Sequence, residues 1–235
     1  SSRGSVYPLS AVAKAAKIMR SKLAKLAAVF LQTSEQNVVM ADGYIYDRSK
    51  PEKRLSFMEL AQKIYFRPGP RTLPEDMLLE GNFLPDVTTT WFSPNTANNK
   101  TSTYTTFCAS ADLAIVEVDI ETGQVKILHY SHAHDAGAVI SQALVDAQVH
   151  GGVAQGIGEA LSEELVYGSD GKLLSDSFVD YVIPICPDAP EIEIFHLETP
   201  STFTELGTKG MGEAPIIRGK AVIKSAVEDA LRPMK

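Results

Sequence analysis

The chain alternates between stretches with the period of a helix and stretches with the period of a strand. Helical spacing of apolar residues predicts helices over Ser10–Leu31, Ser141–Glu163 and Ile216–Leu231. A shorter helix is predicted directly after Ser56, because Glu59 follows three residues later in the arrangement of a capping box. Helices are therefore expected along the whole chain rather than in one part of it.

Strands are predicted between these helices. Thr105–Ile120 and Gln124–His134 alternate apolar and polar residues on either side of a turn, and an Asp-Gly pair after Val38–Met40 indicates a hairpin with Tyr44–Tyr46. Shorter strands are predicted at Leu78–Leu84, Glu164–Tyr167, Leu173–Leu174 and Ile192–Leu197. The chain is therefore expected to combine helices with strands.

Composition narrows the function classes. The chain has 235 residues and a formal net charge of -7, which argues against nucleic acid or an anionic membrane as the main partner. Its two cysteines, Cys108 and Cys186, can form neither a disulfide framework nor an iron–sulfur cluster with four thiolate ligands. No membrane span or signal peptide is visible, and we expect a cytoplasmic protein.

The stretch Glu205–Pro215 carries the main candidate for catalysis. Three glycines in six residues leave its backbone open to a ligand, and a predicted helix starts directly after it. Pro215 suits the first turn of that helix, and Glu213 beside it lies where the helix dipole favours a carboxylate. Glu213 is therefore a candidate general base. An ordinary acidic residue at a helix start, after a flexible loop, remains the alternative.

Glycines also interrupt the predicted helix Ser141–Glu163. Each of Gly151, Gly152, Gly156 and Gly158 costs up to about 1 kcal/mol in a helix interior, so either another element packs closely there or a ligand approaches. The spacing does not match a dinucleotide or phosphate-loop motif. Gln155, among these glycines, carries an amide that can both donate and accept hydrogen bonds.

Two further groups of polar residues are candidates for binding. Ser1–Ser5 forms a small polar loop before the first helix, where backbone N–H groups and the Arg3 guanidinium could hold an anion. His132 and His134 lie on one face of a strand and Asp135 follows them, so a metal site is an alternative to polar residues at a strand end.

Two glycine-containing motifs resemble those of one enzyme family. VHGGVAQGIGEALSEELVY followed by YVIP, and then KGMGEAP before a helix, is similar to the molybdenum-binding subunit of the xanthine oxidase, aldehyde oxidoreductase and carbon monoxide dehydrogenase family. The SSRGS segment before the first helix resembles a third motif of that family. The resemblance covers essentially the whole chain and the C-terminal part of the subunit. It implies an α+β fold with mixed sheets and packed helices. It also implies that residues 1–235 are the C-terminal molybdopterin-binding domain, with two intertwined α/β subdomains.

The resemblance also assigns roles to individual residues. It implies that Glu213 is the general base of a molybdenum hydroxylase, which oxidises an aldehyde or a nitrogen heterocycle with oxygen derived from water. Molybdopterin, as the mononucleotide or the cytosine dinucleotide, would hold the molybdenum through its dithiolene, so no side chain is needed as a metal ligand. The residues that match cofactor-contacting segments are Gln155, Gly156, Lys209, Gly210, Met211, Gly212, Ser2, Arg3, Gly4 and Ser5.

Partner subunits are implied as well, because this chain lacks the cysteines for electron transfer centres. The resemblance implies a preceding molybdopterin-binding polypeptide and subunits that carry iron–sulfur clusters and FAD, in a hetero-oligomer that acts on a small molecule. Two other functions stay open. One is a non-catalytic scaffold derived from such a subunit, and the other is a metal-dependent hydrolase that uses His132, His134 and Asp135.

Overall fold

The computed structural model describes residues 2–65, 93–95, 100–102 and 104–234. These residues belong to two compact units, one within Ser1–Ser10 and Thr89–Lys235 and the other within Ala11–Thr88. The boundary falls inside the first helix, α1, which spans Pro8–Leu31. Helices and sheets occur in one chain without regular alternation, which confirms the predicted α+β fold.

The larger unit is built on a three-stranded mixed sheet. Strands β6 (Ala109–Val118) and β7 (Val125–Asp135) pair antiparallel, and β8 (Ile192–Leu197) pairs parallel to β7. Alternate residues of β7 are buried from Tyr130 onward, as the predicted two-residue period requires. The unit also contains the two-stranded pairing of β4 (Ser93–Asn95) with β5 (Lys100–Ser102).

Two helices cover one face of the larger sheet. Helix α3 (Gln142–Leu161) and helix α4 (Ala214–Ala230) pack against each other, and both contribute to a core that includes Tyr130, Val153 and Ile223. Because these side chains are fully buried, they hold the start of α4 in a fixed position relative to β7.

Glycines allow the close crossing of α3 and α4. An added Cβ at Gly156 would lie 2.7 Å from Gly219 Cα, and one at Gly152 would lie 2.8 Å from Pro215 Cβ. Gly152 and Gly156 are four residues apart, so they lie on the same face of α3. Gly152 and Gly156 therefore have a packing role at the crossing, which was one of the two explanations open from the sequence.

We expect Gly156→Ala to lower the free energy of unfolding by about 1 to 3 kcal/mol, because the new methyl group overpacks the helix crossing. Gly151→Ala is the matched control on the same helix. Gly151 is exposed and an added Cβ there meets no atom within 4 Å, so alanine should stabilise by about 0.5 to 1 kcal/mol. Chemical denaturation of both variants measures the difference, and equal stabilities would contradict the close crossing.

The smaller unit contains a three-stranded antiparallel sheet next to helix α2 (Phe57–Tyr65). Strands β1 (Val38–Ala41), β2 (Tyr44–Asp47) and β3 (Lys50–Ser56) follow one another in sequence. The predicted hairpin is present, and its turn residues Asp42 and Gly43 have φ of 51° and 80°, as a tight hairpin turn requires.

The predicted capping box of α2 is also present. The Ser56 amide donates to Glu59 Oε2 at 2.7 Å, and the Glu59 amide donates to Ser56 Oγ at 3.1 Å. By contrast, sequence reasoning missed β3, whose first residues are exposed and polar. Of the predicted pairing of Glu164–Tyr167 with Leu173–Leu174, a single bridge between Tyr167 and Leu173 is present.

The predicted strand Leu78–Leu84 lies outside the described residues. Among the residues that are described, no helix combines the length and apolarity needed to cross a membrane.

Candidate functional site

The N-terminal segment and the start of α4 meet at Glu213. Ser2 Oγ accepts a hydrogen bond from the Glu213 amide at 3.1 Å and donates one to Glu213 Oε2 at 3.4 Å, across 211 positions of sequence. A second hydrogen bond joins the same two segments: Thr208 Oγ1 donates to the backbone oxygen of Ser5 at 3.1 Å. The structure thus joins the predicted anion-binding loop to the segment with the candidate base.

Glu213 is the N-cap residue of α4, and Pro215 follows in the first turn of that helix. A carboxylate at this position is stabilised by the positive end of the helix dipole. No hydrogen bond from its side chain caps the helix, and the residue is exposed. The carboxylate therefore faces accessible space.

Two glycines make room for Ser2 beside this helix start. A Cβ added at Gly210 would overlap the backbone oxygen of Ser2, and one added at Gly212 would lie 3.2 Å from Ser2 Oγ and 3.0 Å from Gln148 Oε1. Part of the bare backbone that the sequence offered to a ligand is thus in contact with the N-terminal segment. The predicted contacts of Gly210 and Gly212 with a cofactor stay predictions.

A lysine–aspartate pair fastens the glycine segment to the end of β7. Lys209 Nζ lies 2.8 Å from Asp135 Oδ2, and the Lys209 amide donates to the Ala136 oxygen at 2.8 Å. Burial by itself would raise the pKa of Asp135, but hydrogen bonds from Lys209, Thr199 and the Gly137 amide outweigh it and hold that pKa well below its usual range. Asp135 is therefore ionised at neutral pH and can position Lys209.

One cavity, which we call the glycine cavity, brings together most of the predicted cofactor residues. It has a volume of about 380 Å³. The predicted residues that line it are Ser2, Gly4, Ser5, Lys209, Gly210, Met211 and Gly212. Gly4 is exposed, and a Cβ added there would meet no atom within 4 Å, so its bare backbone faces open space next to the start of α1. Hydroxyls and backbone N–H groups at a helix start suit an anionic, hydrogen-bonding ligand.

A second cavity, which we call the Glu213 cavity, lies beside the first, because Ser2 and Gly210 line both. Its volume is about 350 Å³ and Arg3 and Arg218 contribute to its lining. The Arg3 guanidinium stacks over the Tyr104 ring at 4.9 Å, and the centroids of Tyr104 and Phe107 are 6.0 Å apart. This cavity therefore combines a carboxylate, cationic groups and aromatic rings.

Cys108 also lines the Glu213 cavity. Burial raises the pKa of its thiol above the ordinary value. The group is therefore a neutral thiol at physiological pH, and it offers neither a thiolate nucleophile nor a thiolate ligand.

The remaining predicted cofactor residues lie in different surroundings. Met211 belongs to the buried core and also lines the glycine cavity. Gln155 is exposed on α3 and lines neither cavity, while Gly156 is buried at the crossing with α4. The predicted cofactor contacts of Gln155 and Gly156 stay predictions.

Sequence reasoning missed Gln148 and the aromatic lining. Gln148 precedes Gly152 and Gly156 at intervals of four, so a helical projection of α3 would have placed it on the glycine face. Tyr104 and Phe107 precede β6 in an irregular stretch. Phe107 falls inside the predicted strand Thr105–Ile120, but the observed strand begins only at Ala109. No local signal identifies these two residues, because the fold brings them to Glu213 from a distant part of the chain.

The histidines proposed as metal ligands have partners within the protein. His132 Nδ1 lies 2.6 Å from Asp112 Oδ1, and His134 Nε2 lies 3.2 Å from His196 Nδ1. Asp135 is engaged by Lys209. Among the described residues, no group of three or more His, Cys, Asp or Glu side chains is arranged to hold a metal ion. The structure thus lends no support to the hydrolase alternative.

Burial, together with the nearby His132 and His196, lowers the pKa of His134 to about 4 against the opposing effect of Asp146 and Asp135. The unfolded chain, where histidine has a pKa near 6.5, then binds more protons than the folded chain between these values. We expect the free energy of unfolding to fall by roughly 2 to 3 kcal/mol as the pH drops from about 6.5 to 4.

Urea unfolding of the wild type and His134→Gln across this pH range measures the contribution. The variant should lose a large part of the pH dependence. His129→Gln, at a partly exposed position on the same strand, should keep it. Identical pH profiles for wild type and His134→Gln would contradict the assignment.

Comparison with known proteins gives the family. The profile of the molybdopterin cofactor-binding domain matches residues 1–190. Over 234 residues the chain is 35% identical to the nicotine 6-hydroxylase large subunit of Paenarthrobacter nicotinovorans, which corresponds to 99% of this chain and 27% of the relative. It is 28% identical to the carbon monoxide dehydrogenase large chain of Afipia carboxidovorans, over 94% of this chain and 25% of that one.

A solved structure agrees. Quinoline 2-oxidoreductase from Pseudomonas putida 86 superposes with a TM-score of 0.75 at 32% identity, over 98% of this chain and 28% of that one. The chain thus spans about a quarter of the length of the relatives it matches.

The fold and the profile match together define an α+β domain of the kind that binds molybdopterin in multi-subunit oxidoreductases. The chain belongs to the molybdopterin cofactor-binding domain family of molybdenum hydroxylases, and it corresponds to a C-terminal part of the large subunit.

Proposed function

We propose that this chain supplies one wall of the cofactor and substrate site of a molybdenum hydroxylase that oxidises an aldehyde or a nitrogen heterocycle, with Glu213 as general base. The hydrogen bonds between Ser2 and Glu213 are the main support for this proposal, because Ser2 lines both the glycine cavity and the Glu213 cavity and so connects the two. Within this proposal residues 1–235 act as one cofactor-binding domain.

The hydrogen-bond donors that line the glycine cavity suit a molybdopterin cofactor. Ser2, Ser5 and the backbone at Gly4 lie at the start of α1 and provide donors for an anionic tail, of either the mononucleotide or the cytosine dinucleotide form. Gly210 and Gly212 line the same cavity, and the absence of side chains there lets Ser2 pack beside them. The cofactor, when bound, supplies the redox chemistry, while the protein holds and orients it.

Glu213 is placed to accept a proton during the reaction. Its carboxylate is accessible from the Glu213 cavity, and the Ser2 hydroxyl can donate to Oε2 and fix the orientation of the group. Arg3 and Arg218 line the same cavity, so it also offers cationic groups to a bound ligand.

The lining of the Glu213 cavity favours an aromatic ring within the proposed substrate class. Tyr104 and Phe107 present ring faces and Ile217 adds an apolar side chain. Two of the relatives are named for nicotine and quinoline, which are both nitrogen heteroaromatic compounds. A flat, electron-poor heterocycle would stack on these rings with its reacting carbon directed toward Glu213.

The proposed enzyme is a hetero-oligomer. The chain spans 27% of the nicotine 6-hydroxylase large subunit, so a preceding molybdopterin-binding polypeptide would complete the site. Iron–sulfur and FAD subunits would take the electrons to an acceptor, because two cysteines cannot form such centres here.

Substrate oxidation in water labelled with oxygen-18 tests the function. The native assembly, isolated through a tag on this chain, should oxidise one member of a panel of aldehydes, purines, pyridines and quinolines. The product should contain oxygen from the labelled water. An assembly that contains the iron–sulfur and FAD subunits but oxidises no member of the panel would favour the scaffold alternative.

A further inference from the structure

The sheet of the larger unit has one face without a covering layer among the described residues. Helices α3 and α4 lie on the face that carries Tyr130, His132 and His134. The opposite face, which we call the outer face, carries large apolar side chains that are about half exposed. They are Leu113 (52%), Ile115 (51%), Phe195 (49%) and Leu197 (54%).

The strand register gathers these residues into one patch. Ala111 pairs with Ala133, and Ala133 pairs with Phe195, so an alanine-lined row leads across the sheet to an aromatic ring. On the same face, Leu113 lies two residues after Ala111 on β6, and Leu197 lies two residues after Phe195 on β8. The two leucines therefore flank this row on opposite sides. A sheet face exposed to water normally carries mostly polar side chains, whereas this face carries four large apolar side chains beside its polar ones.

Polar side chains on the outer face already bond to one another. His129 Nε2 lies 2.7 Å from Ser131 Oγ, and Ser131 Oγ donates to Glu193 Oε2 at 3.1 Å. At the other end, Asp135 is paired with Lys209. Groups that are already paired lose less on removal from water than unpaired ones, so the face can be covered at a modest desolvation cost.

We propose that the outer face of β6, β7 and β8 is the docking surface for the remaining part of the large subunit. This inference rests on the proposed function for the identity of the partner. The chain spans only 27% of a relative's large subunit while 99% of the chain itself is matched, so most of such a subunit lies outside this chain. An apolar patch of this kind is typical of a permanent interface.

Site-specific crosslinking in the native assembly tests the docking surface. A benzoylphenylalanine at position 195 should, after irradiation, crosslink to a polypeptide whose sequence matches the large subunit of the family outside the region that this chain covers. Crosslinks to a second copy of the chain, to other residues of the same chain, or to an iron–sulfur or flavin subunit would overturn the proposal, as would the absence of a crosslink.

A charge substitution gives a second readout. Phe195→Asp should release that polypeptide, seen as a lower assembly mass in analytical ultracentrifugation, and should leave the circular dichroism spectrum unchanged because the side chain is half exposed. Lys224→Asp, on α4 and away from the outer face, with a side chain that is 72% exposed, is the control and should keep the assembly intact. Retention of the polypeptide by Phe195→Asp would refute the proposal.

The same preparations separate this inference from the proposed function. Pterin fluorescence after acid release reports the cofactor independently of the crosslink. A correct crosslink in an assembly without pterin would support the docking surface and refute the proposed function. Pterin in an assembly whose crosslink leads to another partner would support the proposed function and refute the docking surface.

Discussion

Replacement of Glu213 by Gln should lower the turnover of the native assembly by about two to four orders of magnitude, because the amide keeps the shape of the side chain and removes the base. The backbone amide of residue 213 donates the hydrogen bond to Ser2 Oγ, so this bond does not depend on the side chain that is replaced. The local fold should therefore survive, and the molybdenum content per chain should stay near the wild-type value.

Glu228→Gln is the control for this substitution. Glu228 is exposed near the other end of α4 and pairs with Lys224 at 3.7 Å, a surface contact that contributes little to stability. It should leave turnover unchanged. If Glu213→Gln retained most of its activity while Glu228→Gln behaved as wild type, Glu213 would not be the base.

Gly210→Ala should disrupt both cavities. The added methyl group would overlap the backbone oxygen of Ser2, and the N-terminal segment must move away because overpacked groups cannot share the space. Glu213 then loses its Ser2 partner, and the wall shared by the two cavities is lost. We expect molybdenum content and turnover to fall at least about tenfold, since small misplacements of positioning groups are costly.

Metal analysis of the purified variant, together with its turnover, measures this effect. Gly151→Ala provides the comparison, because Gly151 lines neither cavity and has open space around it. Full molybdenum loading of Gly210→Ala would show that the contact between Ser2 and Gly210 is not needed to hold the cofactor.

The parts of the site that the sequence predicts are the ones encoded over short distances. Glu213 beside Pro215 at the start of a helix follows from glycine and proline chemistry within a few residues. The capping box at Ser56 and the Asp-Gly turn are local in the same way. Each of these features depends on neighbours in the chain, so one sequence is sufficient to find it.

Features that depend on pairing across the fold could not be predicted in this way. Strand β3 is polar and largely exposed, and it is a strand because it pairs with β2. The contact of His134 with His196 joins β7 to β8 over 62 positions. The aromatic lining of the Glu213 cavity likewise comes from an irregular stretch that only tertiary structure brings to Glu213.

The sequence reveals the unusual number of glycines in α3 but leaves two explanations for them open. Their number indicated either close packing or an approaching ligand, and the geometry shows close packing at Gly152 and Gly156 against α4. Gln148, on the same face, reaches Gly212. One helix therefore serves the core along most of its length and the site at its first turns.

Anomalous diffraction at the molybdenum absorption edge, from crystals of the native assembly, would locate the metal relative to Glu213. We expect one strong anomalous peak per chain, beside the Glu213 carboxylate and next to the contact between Ser2 and Gly210. A loaded, active assembly whose molybdenum peak lies away from Glu213 and the glycine cavity would contradict this expectation.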